Sequence, residues 1–397
     1  MPRVAPFEAL IYDARVVGPI DRVTARPYDV TNEHHRAGYH AASPYNVSRV
    51  DLPDGDAPAP YEEAAALLAT WIADGAVVPA GPMYVAYEMG VPPSSGGGRV
   101  RGVIAAMTLE PWGGDVLPHE EVMDGAVEDR LQLLRATGTH LSAIYGAVPG
   151  PVPELAALFE DLGEPDVTVV DEEDVTHRAW WVDPSTPVDV WLDARSLLIA
   201  DGHHRYTTAL AYRDALRATH GLGPWDRVLT FIVDAAAQDL AVLPYHRVQR
   251  AGAPLPGGEP AGSVTAAAAA RADDPPAVAV LTRGTAGLEA SVHRLAGDGP
   301  AVVALHRAGL DEAAPGNALT FTPSTDDAVA AVRDGGAVAA YLLPSTTPQA
   351  ILDVVRTGGR LPRKSTYFWP KPRTGIVMMP VAAPALQVTA PPAPPAS

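Results

Sequence analysis

A mixed α/β fold with α+β character, built of mixed sheets with helices, is predicted from three observations. Apolar runs of strand length alternate with amphipathic segments along most of the 397 residues. Charge and proline interrupt every apolar stretch before about 18 residues, so no membrane-spanning helix is expected. Beyond about residue 225 the strand-like runs follow one another without the long crossovers of a parallel sheet, which implies antiparallel pairing there.

The elements follow in order. ALIYDARVV and YNVSRVDL read as short strands around the turn-rich TARPYDVTNEHH, where Pro27 pushes Arg26 toward extended backbone. Residues 60–74 read as a helix, with Leu67, Leu68, Trp71 and Ile72 at helical spacing and Gly75 as the stop. MYVAYEM and VRGVIAAMTLEPW read as strands joined by the loop PPSSGGG, and VEDRLQLLRATGTHLSAIYG as a helix broken near Gly138, with Leu131, Leu134 and Ile144 in the core. PVPELAALFEDLG is a short helix, VTVVDEEDVTHRAWWVD two strands around an acidic turn, and VDVWLDARSLLIA contains a strand ending at Ala200. Tyr206 to Leu216 is helical, and VLTFIVD and LAVLPYHRVQ are strands. Residues 251–275, rich in Ala, Gly and Pro, read as a linker or insertion. AVAVLTR, AVVALH and AVAAYLLP read as β-like runs, PQAILDVVRTG as a helix, and STYFWPKPRTGIVMMP as two extended pieces around a proline-rich turn. The Ala/Pro tail, 382–397, has too little apolar content to pack and is expected to be disordered.

Composition narrows the chemistry. With no cysteine, thiolate nucleophiles, disulfides, zinc–thiolate sites and iron–sulfur clusters are excluded. A formal net charge of −18 disfavours nucleic acid as a partner. The N-terminus lacks the apolar core and cleavage site of a signal peptide, so a cytoplasmic location is expected. Of 29 Lys and Arg residues, only Lys364 and Lys371 are lysine, and both fall in KSTYFWPKPRTG. Where arginine is the habitual cation, a compact flexible ammonium suggests a specific task.

The strongest candidate site is LLIADGHHRYTTAL. A buried strand feeds a helix through Asp201, which can cap it, and Gly202, which permits positive φ or close backbone approach. His203, His204 and Arg205 then stand where helix N–H groups favour an anion; Arg205 can grip phosphate or carboxylate in bidentate fashion, and histidine can donate or shuttle a proton. Adjacent histidines without an i, i+4 partner or HExxH do not make a metal site, and no metal ligand is assigned. LPYHRV offers His246 and Arg247 on opposite faces of a strand. Lys364, Ser365, Thr366, Lys371 and Arg373 can contact a phosphate chain, with Tyr367, Phe368 and Trp369 either stacking on a base or filling core, although no Walker loop is present. Asp29 in PYDV, Asn46 in SPYN and the pair His119–Glu120 are weaker candidates, each compatible with plain turn or surface chemistry.

Nine segments in order, APFEAL, RPYDV, SPYNVSRVDLP, GVIAAMTLEP, LPHEEV, EDRLQLLRAT, LLIADGHHRYTTALAYRD, LPYHRV and KSTYFWPKPRTGIVMMP, cover about residues 1–381. Through them the chain resembles the bacterial and archaeal family known as domain of unknown function number one thousand and fifteen. The DGHHR turn, over about residues 185–235, resembles the phosphate-binding turn of the ParB and sulfiredoxin-like superfamily, which includes kinases acting on free serine. Genes of the resembled family lie beside serine-biosynthesis genes, which implies serine metabolism.

The resemblance implies that Gly202, His203, His204 and Arg205 hold nucleotide phosphates and that Asp201 orients the turn or assists Mg²⁺. It does not place the general base, for which Glu120, Asp29 and Glu172 are candidates. The chain departs from the pattern in lacking the partition proteins' helix-turn-helix and the sulfiredoxin cysteine, and in carrying Thr207 where an acid is usual. Three regions are expected: an N-terminal α/β region at 1–160, a ParB/sulfiredoxin-like core at 165–250, and a C-terminal α/β region at 276–381 completing the site. The expected activity is a small-molecule phosphotransferase using Mg²⁺ and ATP or ADP on a hydroxyl metabolite such as free serine. Asp201, His203, His204 and Glu120 are the catalytic candidates. Gly202, Arg205, Arg247, Lys364, Ser365, Thr366 and Lys371 are the nucleotide contacts. The alternatives are a phosphate-ester hydrolase at the same turn and a non-catalytic sensor of an anionic metabolite. The partners are a nucleotide and a small molecule, not nucleic acid or membrane, with the oligomeric state left open.

Overall fold

The computed structural model describes residues 3–55, 58–122, 124–193, 195–235, 241–285, 287–314 and 316–382. The tail expected to be disordered lies, from residue 383 on, outside the described residues. The chain forms two units: Met1–Leu117 with Val122–Asp239 and Pro370–Ser397, and Pro118–Glu121 with Leu240–Trp369. The fold class is mixed α/β, as the alternation of apolar runs implies.

In the first unit, ten strands join one sheet among the described residues. Its main path runs Val116–Leu117, Leu197–Asp201, Ile144–Val148, Arg227–Asp234, Arg99–Thr108, Val77–Gly90, Thr176–Val182, Val167–Val170. Ile144–Val148 runs parallel to Arg227–Asp234 and antiparallel to Leu197–Asp201, so the sheet is mixed. Tyr84 to Met89 are all buried, which explains why MYVAYEM reads as a continuous apolar run and not an alternating one. One core gathers Ala86, Val103, Trp180, Ile199 and Tyr206, seating the helix His203–His220. A second gathers Tyr12, Leu68, Trp71, Val77 and Met378. Pro60, Ala64, Leu68 and Trp71 recur every three or four residues and form the buried face of the helix Ala59–Ala73.

In the second unit, Glu259–Ala261, Gly287–Arg294, Pro276–Gly284, Ala339–Leu342, His246–Gln249 and Leu319–Thr322 lie side by side, antiparallel throughout. Val248, Leu281 and Leu342 pack with Ala267, Ala328 and Val332 from the helices Val264–Ala269 and Thr325–Arg333.

Four sequence expectations change. YNVSRVDL is not a strand. The Asn46 side chain donates to the carbonyls of Arg22 and Thr24 and accepts from Ser48 N, turning the chain into the helix Ser48–Asp51. The helix through 127–146 ends at Thr137, because Gly138 takes φ +56°, and the rest becomes the strands Thr139–His140 and Ile144–Val148. Residues 251–275 are no linker. Ser263 caps Val264–Ala269, whose Ala267 is fully buried, so the small residues permit close packing. AVVALH is the helix Ala301–Arg307, with Ala301, Ala304 and Leu305 on its buried side.

Candidate anion-binding turn and the ion pairs beneath it

Leu197 to Ala200 are buried and enter the sheet, but the register breaks between Ile199 and Asp201, and this irregularity re-aims Asp201. Gly202 follows at φ +94°, where a Cβ would stand 2.8 Å from Ile144 Cγ2. Both the backbone conformation and the space require glycine. Gly202→Ala is therefore expected to lower stability by about 2–3 kcal/mol, read as a fall in the urea midpoint; an unchanged midpoint would disprove the constraint.

Asp201 does not cap the helix. Gly202 occupies the cap position and turns the chain away, leaving the Asp201 carboxylate for two cations. Its Oδ1 accepts from Lys371 Nζ at 2.5 Å and its Oδ2 from Arg205 Nη2 at 2.7 Å. Lys371 also donates to Asp29 Oδ2 at 2.9 Å, so one ammonium joins two carboxylates from distant parts of the chain. The Lys371 side chain is 5% exposed, against 14% for Asp201 and 18% for Asp29. At such burial the three charges are strongly coupled.

Arg205 is held from within: Nη1 donates to Ser142 Oγ and to the Ala143 carbonyl, both at 2.8 Å, while its buried Nε has no hydrogen-bond partner. With Asp51, Arg130, His140 and Thr208 it lines a narrow recess of about 40 Å³. Arg130 donates to the Asp51 carbonyl and carboxylate and lies 4.4 Å over the Tyr28 ring. Burial, reinforced by Asp29, pushes the Tyr28 hydroxyl above its ordinary value. Burial lowers the His140 imidazole to about 4, so it is neutral near pH 7.

At the helix start, His203 is buried with its ring stacked on Trp112 at 6.1 Å, while His204 is half-buried. Trp112 also donates to Thr207 Oγ1 at 3.3 Å. Glu172 takes Arg373 on both oxygens, at 2.9 and 3.3 Å. Burial would raise its carboxyl, but Arg373 outweighs that and holds it at about 2. Glu172 is thus a fixed anion near neutral pH.

The second unit holds the remaining candidates. Glu120 accepts from the amides of Lys364, Ser365 and Thr366 at 3.2, 2.9 and 2.8 Å, and from the Thr366 hydroxyl at 2.7 Å. Lys364, at φ +54°, curls these amides around one anion, as in a backbone nest. The anion they hold is the protein's own carboxylate. His119 Nε2 lies 2.6 Å from Thr366 Oγ1. Arg247 is fully buried; Nη1 donates to the carbonyls of Tyr245 and Lys364 and Nη2 to that of Arg363, and burial lowers the guanidinium to about 10. Tyr367 and Phe368 are buried and fill core.

The candidates thus divide into two groups. Asp201, Gly202, His203, His204, Arg205 and Lys371 belong to the first unit, and Glu120, Arg247, Lys364, Ser365 and Thr366 to the second. Sequence reasoning missed Ser142, Arg130 and Asp51, which carry no local motif.

The model of a family described as protein of unknown function (DUF1015) matches residues 4–275. No curated protein matches the chain. Similar solved structures include a free serine kinase in complex with AMP, at 16% identity and TM-score 0.37 over 64% of this chain and 83% of that one. A conserved hypothetical protein from Pyrococcus furiosus gives 16% and 0.36 over 64% and 86%. SbnI with a C-terminal truncation from Staphylococcus aureus gives 11% and 0.37 over 68% and 84%.

Proposed function

The chain belongs to the DUF1015 family, and from its own site we propose that it is a phosphotransferase, moving a phosphoryl group between a nucleotide and a small hydroxyl metabolite. The observation that carries this reading is the Asp29–Lys371–Asp201 bridge at the entry to an 18-residue helix. Phosphoryl transfer asks a protein mainly for positioning and for neutralisation of charge. A helix start offers N–H groups and a favourable dipole to a phosphate. His204 is assigned a phosphoryl oxygen, and His203, packed on Trp112, holds the first turn in place. Arg205 positions Asp201, and its buried Nε is a donor that remains available.

Of the three candidate bases, the geometry favours Asp29. Asp29 shares Lys371 with Asp201 beside the helix start, whereas Glu172 pairs with Arg373 and Glu120 holds the 364–366 turn of the second unit. Asp29 would accept the proton of the acceptor hydroxyl as its oxygen attacks the terminal phosphorus of the nucleotide, while the bond from that phosphorus to the bridging oxygen breaks and the nucleotide leaves one phosphate shorter. Lys364 belongs to the second unit and is assigned no role at this turn.

Among the described residues no cluster of three or more His, Asp or Glu forms a metal cage. Mg²⁺ does not require one, since it commonly binds one or two carboxylates together with water and phosphate oxygens. Asp29 and Asp201 each give one oxygen to Lys371 Nζ, so this pair already carries its cation and does not by itself fit a Mg²⁺ site. Mg²⁺ would come with the nucleotide, whose phosphate oxygens and water it prefers, and would neutralise phosphate charge. The acceptor proposed is free serine or a similar hydroxyl metabolite, as the DGHHR resemblance implies.

The test is phosphorus NMR of the protein with Mg²⁺ and ATP or ADP, with and without a panel of hydroxyl metabolites that includes L-serine. A new phosphomonoester peak that is lost in Asp29→Asn is the expected result. Phosphate release without acceptor would replace the transferase by a hydrolase. Nucleotide binding with unchanged spectra would replace it by a sensor.

A further inference from the structure

On the first unit's sheet, Glu88 lies directly opposite Arg101 on one neighbouring strand and Arg178 on the other. The Glu88 side chain is 4% exposed; Oε2 accepts from Arg101 Nε at 2.6 Å and Oε1 from Arg178 Nη1 at 2.7 Å. Arg99, two residues before Arg101 and on the same face, places Nη1 3.8 Å from Glu88 Oε2. Burial would raise the Glu88 carboxyl, but the guanidiniums hold it below its ordinary value, so it is an anion. One carboxylate needs one cation. Three guanidiniums converge on this one carboxylate, on a protein whose net charge is −18.

These groups surround a recess of about 390 Å³, within the range of small-molecule sites. Its opening comes from a missing side chain. Gly90 pairs with Arg99 on one side and Thr176 on the other, and a Cβ there would lie 3.7 Å from Arg178 Nη1. Trp180 and Pro165 form an apolar wall. The Arg99 and Arg178 side chains are 61% and 38% exposed, so they are accessible while Glu88 fixes the orientation of the guanidinium it binds. The strand register puts Glu88 on the face opposite Tyr87 and His177, and Asp201 pairs through Tyr145, Phe231, Ile104 and Val85 along that other face. The recess is therefore separate from the turn at Gly202.

We propose that this recess is a second anion site, binding the dianionic phosphate of a phosphate monoester or of inorganic phosphate between Arg99 and Arg178. Arg101 and Glu88 are positioning residues that preset the fork geometry, and an organic substituent would lie against Trp180. Guanidinium forks match phosphate oxygens in bidentate fashion, which fits arginine at all three positions.

The test is equilibrium dialysis of the full chain against inorganic phosphate and, separately, glycerol 3-phosphate. Saturable binding at millimolar concentration or below is expected. It should weaken by about tenfold or more in Arg99→Ala/Arg178→Ala and also in Gly90→Leu, which fills the recess while keeping every charge. Gly90 has no positive φ, and its nearest neighbours lie at ordinary contact distance, so the backbone accepts a side chain. Both variants change residues on the strands Arg99–Thr108, Val77–Gly90 and Thr176–Val182, apart from Leu197–Asp201 in the sheet, so loss of binding in them separates this site from the proposed transferase. Tighter binding of glycerol 3-phosphate identifies a monoester as the ligand, and equal binding identifies free phosphate. No saturable binding, or binding unchanged in both the double variant and Gly90→Leu, would overturn the proposal.

Discussion

Lys371→Met is expected to abolish the proposed phosphotransfer and to destabilise the protein by about 3 kcal/mol at pH 7, the cost of removing the cation that two buried carboxylates share. Lys371 Nζ is the atom on which Asp29 and Asp201 converge, at 2.9 and 2.5 Å. Without it, two carboxylates with side-chain exposures of 18% and 14% face each other. Lys371→Arg does not rescue activity. A planar guanidinium cannot offer one compact donor to two oxygens, and Arg205 already fills the adjacent position on Asp201. Asp29→Asn combined with Lys371→Met recovers part of the stability by removing one charge, while activity stays absent. Urea unfolding and the phosphorus NMR assay read the two effects independently. A Lys371→Met protein with wild-type midpoint would show that the bridge contributes nothing to the fold, and one with wild-type turnover would remove Lys371 from the site.

The second large effect is on acid stability. His246 is 1% exposed; its Nδ1 accepts from the Leu343 amide at 3.2 Å and its Nε2 lies 2.8 Å from Thr325 Oγ1. Burial, with smaller contributions from Arg271 and Arg247, lowers the imidazole to about 3. Below pH 6.5 the unfolded chain takes up a proton on this residue that the folded unit refuses until about pH 3. The associated stability is therefore fully present above pH 6.5 and is lost as pH falls, about 2 kcal/mol by pH 5 and about 4 kcal/mol at the lower end. His246→Asn, which cannot be protonated, should shrink the difference between urea midpoints at pH 7.5 and pH 5 by that first amount. Burial also lowers His293 and His306, so some acid sensitivity persists in the variant. Identical pH dependence in variant and wild type would refute the assignment.

The Asp201–Arg205 turn was legible as a strand-to-helix junction because its parts are local. A buried tetrapeptide, an aspartate, a glycine and a basic pair within ten residues need no tertiary information. Lys371 was legible for a different reason, its rarity in an arginine-rich chain. Their pairing was not, since Lys371 meets Asp201 across 170 residues and Asp29 across 342. Asp201 looked like a cap because the sequence does not reveal that Gly202 turns left-handed and takes the cap position itself. The phosphate-binding reading of Lys364 to Thr366 identified a real nest, but nothing local reveals that Glu120, some 245 residues earlier, occupies it. In the fold, the periodic helices and the long apolar strands were readable. AVVALH and residues 251–275 were not, because alanine-rich segments show little contrast between the faces of a helix and those of a strand.

The span between Asp29 and Lys371 also sets a timetable during synthesis. At about 5–20 residues per second, Asp29 joins the chain roughly 17–70 s before the lysine that completes its bridge is added. Throughout that interval the nascent chain carries Asp29 and, in time, Asp201 without the ammonium that joins them. A message cut short between the codons for Arg205 and Lys371 yields a product with the whole DGHHR turn but without the ammonium that joins Asp29 to Asp201. On the proposed function, such a fragment lacks a charge that transfer needs, because the last of the three bridged residues to be made is the one that joins the other two.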